Sequence, residues 1–335
     1  MEFVFFIGID ISKDKLDFAV RQGKQLLFHC EIANTPEAIK AFLKELNQVE
    51  GFNLNKAIFC MEHTGIYNNH ILVCLHKKKA NICLEAASHI KKCLGNIRGK
   101  NDKVDAIRIA EYAYTQRENL RMWTPKREIV QQLSHLAAAR SRLLKAKKML
   151  STPLNEAEAF VSKAIAKQTV KACSSTLNAI GADLKRIEKE INKIISSDEN
   201  LHRIFVLATS VCSIGSVIAT QVIISTNEFI DIDNAKQFAC MGGMAPFVEE
   251  SGKFKGKGRI SHMANKKIKT LFHMAALVAI QYDPELKSFY ERKVNQEKKN
   301  KMSVLNAVRN KLILRVFACV NQNREYEKNY ARLVA

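Results

Sequence analysis

The first third of the chain alternates short apolar segments with amphipathic ones. The apolar run at residues 3–9 predicts a buried strand, and the alternating segments at 15–20 and 26–32, separated by the turn signal Gln22-Gly23-Lys24, predict two more strands. Apolar runs predict further strands at 57–61 and 81–85. Helix-start signals occur near Asn34 and Asp102. The pattern therefore predicts an α/β domain over residues 1–122.

Beyond residue 125 the pattern becomes almost entirely helical. Residues 126–198 are expected to form a connector built as an antiparallel helical hairpin, with a break at Ser151-Thr152-Pro153. Its second arm carries a 3.5-residue apolar repeat typical of a coiled coil. The members of that repeat are Leu177, Ile180, Leu184, Ile187, Ile191 and Ile194. A mainly α-helical domain is predicted over residues 199–335, with one irregular loop at 247–261.

The order of the first elements narrows the fold. Three antiparallel strands followed by helix–strand–helix–strand–helix is the element order of an RNase H-like domain. Hydrophobic residues make up 47% of the chain and charged residues 26%, which excludes a disordered protein. The fold class expected is therefore an α/β N-terminal domain followed by a helical coiled coil and a mainly helical C-terminal domain.

The charge of the chain points to an anionic partner. The net charge is +20, and the lysine and arginine excess is greatest after residue 200. Between Ser251 and Tyr282 there are seven basic residues and no acid. This composition favours a surface that faces nucleic-acid phosphates over a generic solvated surface.

Cysteine usage and hydropathy indicate the compartment. The nine cysteines contain no C-x-x-C pair and several lie within apolar runs, which argues against a zinc ribbon and a disulfide scaffold. No apolar stretch reaches the ~20 residues of a membrane span, and the N-terminus lacks a signal-peptide pattern. A soluble, cytoplasmic protein without a membrane partner is expected.

Four acids occupy places where a metal-dependent nuclease carries its ligands. Asp10 and Glu62 end two apolar strands, and Asp102 and Asp105 share one helix face at a spacing of three residues. Hard carboxylate oxygens suit Mg²⁺, which stabilises charge in phosphodiester chemistry. Each acid alone is also compatible with a helix cap or a surface charge, and Asp102 could serve as an N-cap.

A second candidate site surrounds Ser251. Glycines and cations follow the serine, and glycine allows close backbone approach while cations match phosphate. Serine is a weak nucleophile unless it is activated, and the nearest candidate bases are Glu249 and Glu250. These residues alone support phosphate binding better than a nucleophilic role. The predicted nucleic-acid-binding residues are Lys253, Lys255, Lys257, Arg259, Lys266 and Lys267.

Several motifs in fixed order carry a family resemblance. They are Gly8-Ile9-Asp10-Ile11-Ser12-Lys13, Met61-Glu62-His63-Thr64-Gly65-Ile66-Tyr67, Asp102-Lys103-Val104-Asp105-Ala106, Gly242-Gly243-Met244-Ala245-Pro246, Ser251-Gly252, Gly256 and Arg259-Ile260-Ser261. In this order the chain resembles, over nearly its whole length, the IS one-ten (IS110) family of bacterial insertion-sequence transposases, which includes Piv-type DNA invertases.

The resemblance implies a mechanism. It implies a RuvC-like domain with a DEDD metal site at Asp10, Glu62, Asp102 and Asp105, and a transposase domain in which Ser251 attacks DNA and forms a phosphoserine link. It also implies Mg²⁺ as cofactor, DNA as element ends and target, and a homodimer or homotetramer. Some members are guided by a structured bridge RNA. In one departure, Cys212-Ser213-Ile214-Gly215 replaces the family's proline-glycine-isoleucine-glycine turn.

Two alternative functions remain open at this point. A hydrolytic endonuclease of the Holliday-junction type would use the carboxylates and a metal alone, and it would cleave DNA without Ser251. A non-catalytic nucleic-acid-binding protein would use its charge alone. Its binding would be sensitive to salt and indifferent to Mg²⁺.

Overall fold

The computed structural model describes residues 2–93, 101–247, 250–251, 254–255, 259–260 and 264–328. The chain divides into two compact units, Met1–Pro125 and Lys126–Ala335. The further division of the second unit near residue 198, which the sequence analysis expects, stays a prediction.

The first unit is built on a five-stranded mixed sheet with the strand order β3-β2-β1-β4-β5. Its strands are β1 (Phe5–Ile11), β2 (Lys15–Gln22), β3 (Gln25–Ala33), β4 (Ala57–Glu62) and β5 (Asn81–Glu85). The pairs β1–β2 and β2–β3 are antiparallel, whereas β1–β4 and β4–β5 are parallel. The predicted fold class is confirmed, because a mixed α/β region precedes a mostly helical remainder.

Helices cover both faces of this sheet. They are α1 (Pro36–Leu46), α2 (Asn69–Lys77), α3 (Ala87–Cys93) and α4 (Asp102–Thr115), and a 3₁₀ turn at Gly65–Asn68 precedes α2. Alternate β1 residues divide between the faces: Phe5 belongs to the cluster that contains α1 and α2 residues, and Phe6 to the cluster that contains α4 residues. Strand periodicity thus explains why β1, buried on both faces, is an almost continuous apolar run.

The second unit begins with a helical hairpin of α5 (Glu128–Phe160) and α6 (Lys163–Ser197). The ion pairs Arg127–Asp198 and Arg140–Glu188, each with an N–O distance of 2.7 Å, join early α5 positions to late α6 positions, so the arms are antiparallel. The predicted break at Ser151-Thr152-Pro153 is wrong, since Pro153 lies inside α5. Proline removes one intrahelical hydrogen bond, and burial of the adjacent Leu154 helps to hold the helix there.

Most of the remaining helices of the second unit pack against the last of them, α12 (Lys301–Asn321). They are α7 (Glu199–Thr209), α8 (Ser216–Thr226), α9 (Ala235–Met241), α10 (Lys266–Tyr282), α11 (Pro284–Glu291), a π-helical turn at Arg292–Gln296 and α12 (Lys301–Asn321). Val308, Leu312 and Val316 of α12 are fully buried in the core cluster of this unit. Among the helices of the described ranges, none is both long and apolar enough to cross a bilayer.

The segment expected to be irregular contains short strands. They are β6 (Pro246–Phe247), β7 (Glu250–Ser251), β8 (Phe254–Lys255) and β9 (Arg259–Ile260). β6 pairs with β9 and β7 pairs with β8, both antiparallel. In the sequence, the β7–β8 pair therefore lies between β6 and β9. The expectation of an irregular loop is therefore wrong at these positions. Two-residue strands are too short to produce a period-two pattern that sequence analysis detects.

Candidate active site

Asp10 and Glu62 meet at one edge of the sheet. Asp10 is the penultimate residue of β1 and Glu62 the last residue of β4. These strands are parallel and Ile9 is in register with Met61, so each acid follows a paired residue. The carboxyl ends of parallel strands are a common location of active sites in α/β proteins.

Gly8 lets α4 lie directly against β1. A Cβ atom on Gly8 would lie 2.2 Å from both the Ala106 carbonyl oxygen and the Ala110 backbone nitrogen. Only glycine permits this approach, and the small, fully buried Ala106 and Ala110 form the facing helix surface. The contact holds the first turn of α4, which carries Asp102 and Asp105, next to the end of β1.

The four predicted acids share one electrostatic environment. The pKa of Asp10 is raised from 3.8 to about 6, first by burial and then by the negative charges of Asp102, Asp105, Glu62 and Asp17. The structure therefore brings Asp10 within electrostatic reach of the other three predicted ligands. Asp102 is not the N-cap of α4, because the Asn101 side chain accepts the capping hydrogen bond from the Val104 N–H.

Two cations lie against this cluster. Lys15 Nζ lies 2.9 Å from Asp102 Oδ2 and also 2.9 Å from Glu31 Oε2. These contacts raise the pKa of Lys15, the Glu31 hydrogen bond most. Arg108 Nη1 donates to Asp105 Oδ1 at 2.8 Å. Sequence reasoning missed both cations, although the spacing of three residues between Asp105 and Arg108 is an ordinary signal for a helical ion pair.

The donor set suits a hard divalent cation, but its present geometry is not that of a bound ion. Across the part of the chain that the structure describes, no three Asp, Glu, His or Cys side chains form a group able to hold a metal. Carboxylate oxygens are the ligands that Mg²⁺ and Mn²⁺ prefer. Asp102 and Asp105 form ion pairs with Lys15 and Arg108, so they could serve as metal ligands only after an exchange of partners.

Ser251 lies on β7 in the second unit. Its side chain is exposed, and the residue is in register with Phe254 of β8. The backbones of Lys255 and Arg259 lie in β8 and β9, and Lys266 and Lys267 begin α10. The predicted phosphate-binding residues Lys253 and Lys257 lie outside the described residues.

The segment that leads into this strand pair is fixed to α12. The Met244 carbonyl accepts hydrogen bonds from Asn306 Nδ2 at 2.7 Å and from Asn310 Nδ2 at 2.9 Å. Asn306 is buried, and its side-chain oxygen accepts from the buried Arg309 at 3.5 Å. These asparagines hold the start of the serine segment, and no sequence motif marked them.

Family models match both halves of the chain. A DEDD transposase model of the IS110 type matches residues 7–157, and a model described as "Transposase IS116/IS110/IS902 family" matches residues 206–291. The first match suggests the use of a divalent metal, and both imply DNA as a partner.

Curated relatives agree with the family models. A "Pilin gene-inverting protein" from Moraxella bovis is 26% identical over 331 residues, which cover 96% of this chain and 98% of the relative. Its counterpart from Moraxella lacunata is 24% identical with the same coverage. An uncharacterised 43.6 kDa protein of insertion element IS110 from Streptomyces coelicolor is 21% identical over 47% of this chain and 38% of its own length. The segments matched by the two models together span more than half of the chain. The chain therefore belongs to the IS110 family of transposases, which are enzymes that recombine DNA.

Proposed function

We propose that this protein cleaves and rejoins DNA in the cytoplasm through a covalent bond between Ser251 and a DNA phosphate. In the cleavage step the serine oxygen bonds to phosphorus while the bond between phosphorus and a deoxyribose oxygen breaks. The serine gives its proton to a base, and the departing deoxyribose oxygen takes up a proton. Rejoining is the reverse attack by a DNA hydroxyl, which releases the serine. This exchange conserves the phosphodiester bond energy, as recombination requires.

The observation that carries the metal-dependent part of this proposal is the acid cluster around Asp10. A pKa raised to about 6 by burial and by neighbouring carboxylates indicates negative charge that a divalent cation would relieve. We propose that Asp10, Glu62, Asp102 and Asp105 hold Mg²⁺ once Asp102 leaves Lys15 and Asp105 leaves Arg108. Bound Mg²⁺ would supply stabilisation of the charge that develops on the phosphate oxygens.

The charge of the chain supports nucleic-acid partners. The net charge of +20 favours binding to DNA and to a structured guide RNA. In this proposal Lys253, Lys255, Lys257 and Arg259 hold the scissile strand, and Lys266 and Lys267 bind phosphate nearby in sequence. A homodimer or homotetramer would bring two DNA segments together. The full-length similarity to pilin gene-inverting proteins supports inversion as well as transposition.

One observation favours a hydrolytic endonuclease as the second candidate. The acid cluster is complete within the first unit, which does not contain Ser251. A metal and its water could therefore cleave DNA without the serine. This alternative predicts no covalent protein–DNA species.

Strand cleavage by matched variants separates the two candidates. We expect labelled element-end DNA, supplied with flanking RNA and Mg²⁺, to be cleaved by the wild type and not by Asp10→Asn or Ser251→Ala. The Lys287→Gln variant, which changes an exposed lysine of α11, serves as a control that keeps activity. Full cleavage by Ser251→Ala would overturn the serine mechanism and establish the hydrolytic one.

A further inference from the structure

A cavity of about 680 Å³ lies within the second unit between α5, α6, α8 and α10. Within the described part of the chain, the family motifs identified in the sequence do not line this cavity, although the turn Cys212-Ser213-Ile214-Gly215 leads directly into α8. Helix α10 contributes Lys266 and Lys267 from the predicted phosphate-binding set. Its size lies within the range of small-molecule and cofactor sites, which is about 300–1,000 Å³.

Cations dominate the polar lining of this cavity. It contains Arg140, Lys145, Lys266 and Lys267, against a single carboxylate, Glu188. Arg140 is paired with Glu188 at 2.7 Å, whereas the three lysines have no ion pair among the described residues. The pKa of Lys267 is lowered by burial first and then by the positive charges of Arg140 and Lys145. The cavity is therefore electropositive and lacks its counter-charge.

The first turn of α8 adds unpaired hydrogen-bond donors. Gly215 is the N-cap of α8 and provides no side-chain hydrogen bond, and Ser216 and Val217 of the first turn line the cavity. Helix N-termini attract anions through these free backbone N–H groups.

One wall of the cavity contains a buried hydroxyl without a partner among the described residues. Thr220, one turn further along α8, also lines the cavity and is only 4% exposed. Its Oγ1 has no hydrogen-bond partner within the described ranges. A buried hydroxyl without a partner is costly. Its oxygen has almost no accessible surface, so it can reach a group in the cavity only after the Thr220 side chain rotates.

The rest of the lining is apolar. Leu144 of α5, Ile191 of α6, Val217 of α8 and Leu271 of α10 face the same space. A ligand that complements the whole cavity therefore carries an anionic group at one end and a flat or apolar body at the other. A nucleotide has this composition, with a phosphate joined to a stacking base.

We propose that the cavity binds one nucleotide of a nucleic-acid strand, with its phosphate at Lys267 and the start of α8 and its base against Leu144 and Leu271. The inference rests on the proposed function in its choice of ligand, because an enzyme that recombines DNA handles nucleotides, and in the phosphate contact given there to Lys266 and Lys267. On binding, the Thr220 side chain rotates and its hydroxyl bonds to the bound nucleotide.

Binding of labelled oligonucleotides to charge and shape variants tests this site. We expect Lys267→Gln to weaken binding of fluorescein-labelled oligothymidylate about tenfold. The slope of the logarithm of the binding constant against the logarithm of salt concentration should become shallower by about 0.7, which corresponds to the loss of one single-strand phosphate contact. The matched control Lys287→Gln should leave both values near those of the wild type. Equal affinity and equal salt dependence of Lys267→Gln and wild type would overturn the proposal.

Thr220→Val separates a lost ligand contact from a damaged fold. Valine has the shape of threonine and removes an unpaired buried hydroxyl, so the variant should be at least as stable as the wild type. We nevertheless expect it to bind the oligonucleotide several-fold more weakly. Unchanged binding by Thr220→Val would contradict the assigned contact.

Photo-crosslinking locates the bound base and identifies its source. Oligonucleotides that carry 4-thiothymidine or 4-thiouridine should crosslink to α5, α8 or α10 peptides that line the cavity, and thymidine monophosphate should compete. Crosslinking by the DNA probe, the RNA probe or both supports the site and says which strand enters it. Crosslinks confined to other peptides overturn the proposal.

The serine variant keeps this inference distinct from the proposed function. Ser251→Ala should lose covalent linkage to DNA and retain cavity binding. If the wild type also forms no covalent link while Lys267→Gln and Thr220→Val still weaken binding, the proposed reaction fails and the nucleotide cavity stands.

Discussion

Replacing Asp10 with asparagine should stabilise the first unit in the absence of a divalent metal. Asparagine has nearly the same shape and carries no charge. It therefore removes both the cost of burying the carboxylate charge and the repulsion by neighbouring acids, which together raise the Asp10 pKa from 3.8 to about 6. The native state binds the Asp10 proton more tightly than the unfolded chain does. Its destabilising contribution is therefore absent below pH 3.8, grows as the pH rises to about 6, and is complete above that value.

The size of the gain follows from this shift. About two pKa units correspond to about 3 kcal/mol, since each unit is worth about 1.36 kcal/mol. Asp10 is partly exposed, and solvent screening reduces this value to about 1–2 kcal/mol. The gain should be constant above pH 6 and should decline as the pH is lowered toward 3.8.

Tryptophan fluorescence during urea unfolding reports the stability of the first unit, where this gain is expected. Trp123 is the only tryptophan of the chain, and it packs against the core cluster of the first unit. The exposed Asp14→Asn, in the turn between β1 and β2, is a matched control that should change little. If Asp10→Asn is no more stable than the wild type above pH 6, the electrostatic account of the cluster is wrong.

Divalent metal should reverse the order of stability, so that the wild type becomes more stable than Asp10→Asn. In the proposed site Mg²⁺ or Mn²⁺ binds only the folded acid cluster, so either ion should stabilise the wild type by mass action. Asp10→Asn lacks one of the proposed ligands and should gain much less. An equal rise in stability of both proteins would remove Asp10 from the proposed metal site.

Three further substitutions test a helix–strand contact and two ion pairs. Gly8→Ala should destabilise the first unit by about 3 kcal/mol, measured by Trp fluorescence, because its Cβ would meet the α4 backbone at 2.2 Å. Lys15→Gln should raise Mn²⁺ affinity several-fold in calorimetry, since Lys15 Nζ now forms an ion pair with the Asp102 carboxylate. Arg127→Met should destabilise the second unit by about 2 kcal/mol in thermal unfolding followed by circular dichroism, because it removes the ion pair of the buried Glu228.

Each of these substitutions has a control. Gly181→Ala lies in α6 with open space around its Cβ and should stabilise that helix by about 0.5–1 kcal/mol. Lys13→Gln alters an exposed lysine beside Lys15 and should leave metal affinity unchanged. Arg186→Met removes an exposed helical ion pair and should cost less than about 0.5 kcal/mol. A primary variant that behaves like its control contradicts the contact assigned to it.

The sheet and the acid positions were accessible from sequence because both follow local rules. Apolar runs mark buried strands, and Asp10 and Glu62 mark the points where two such runs end. The helix face of Asp102 and Asp105 follows from helical periodicity. These rules identify which residues approach a common edge of the sheet.

The rest depends on contacts between distant segments. Lys15 is an ordinary strand residue until the fold places it against Asp102, and Gly8 gains its role only when α4 packs on β1. Pro153 breaks an isolated helix, but here the packed hairpin retains it. Such effects come from tertiary packing, which the local pattern does not encode.

The turn before α8 combines both kinds of information. The motif comparison shows Ser213 where the family pattern has glycine, and the structure gives Ser213 a left-handed backbone with φ of 72°. Glycine adopts this conformation readily, whereas serine does so at a cost of about 1 kcal/mol. This chain therefore keeps the left-handed turn that glycine favours in the family pattern, although it carries serine at that position.

A denaturing gel of the protein with labelled element-end DNA, flanking RNA and Mg²⁺ tests the central claim most directly. The account predicts a labelled protein–DNA species with the wild type, which protease removes and which Ser251→Ala does not form. The same species in Ser251→Ala, or cleaved DNA without any such species in the wild type, would contradict the phosphoserine mechanism.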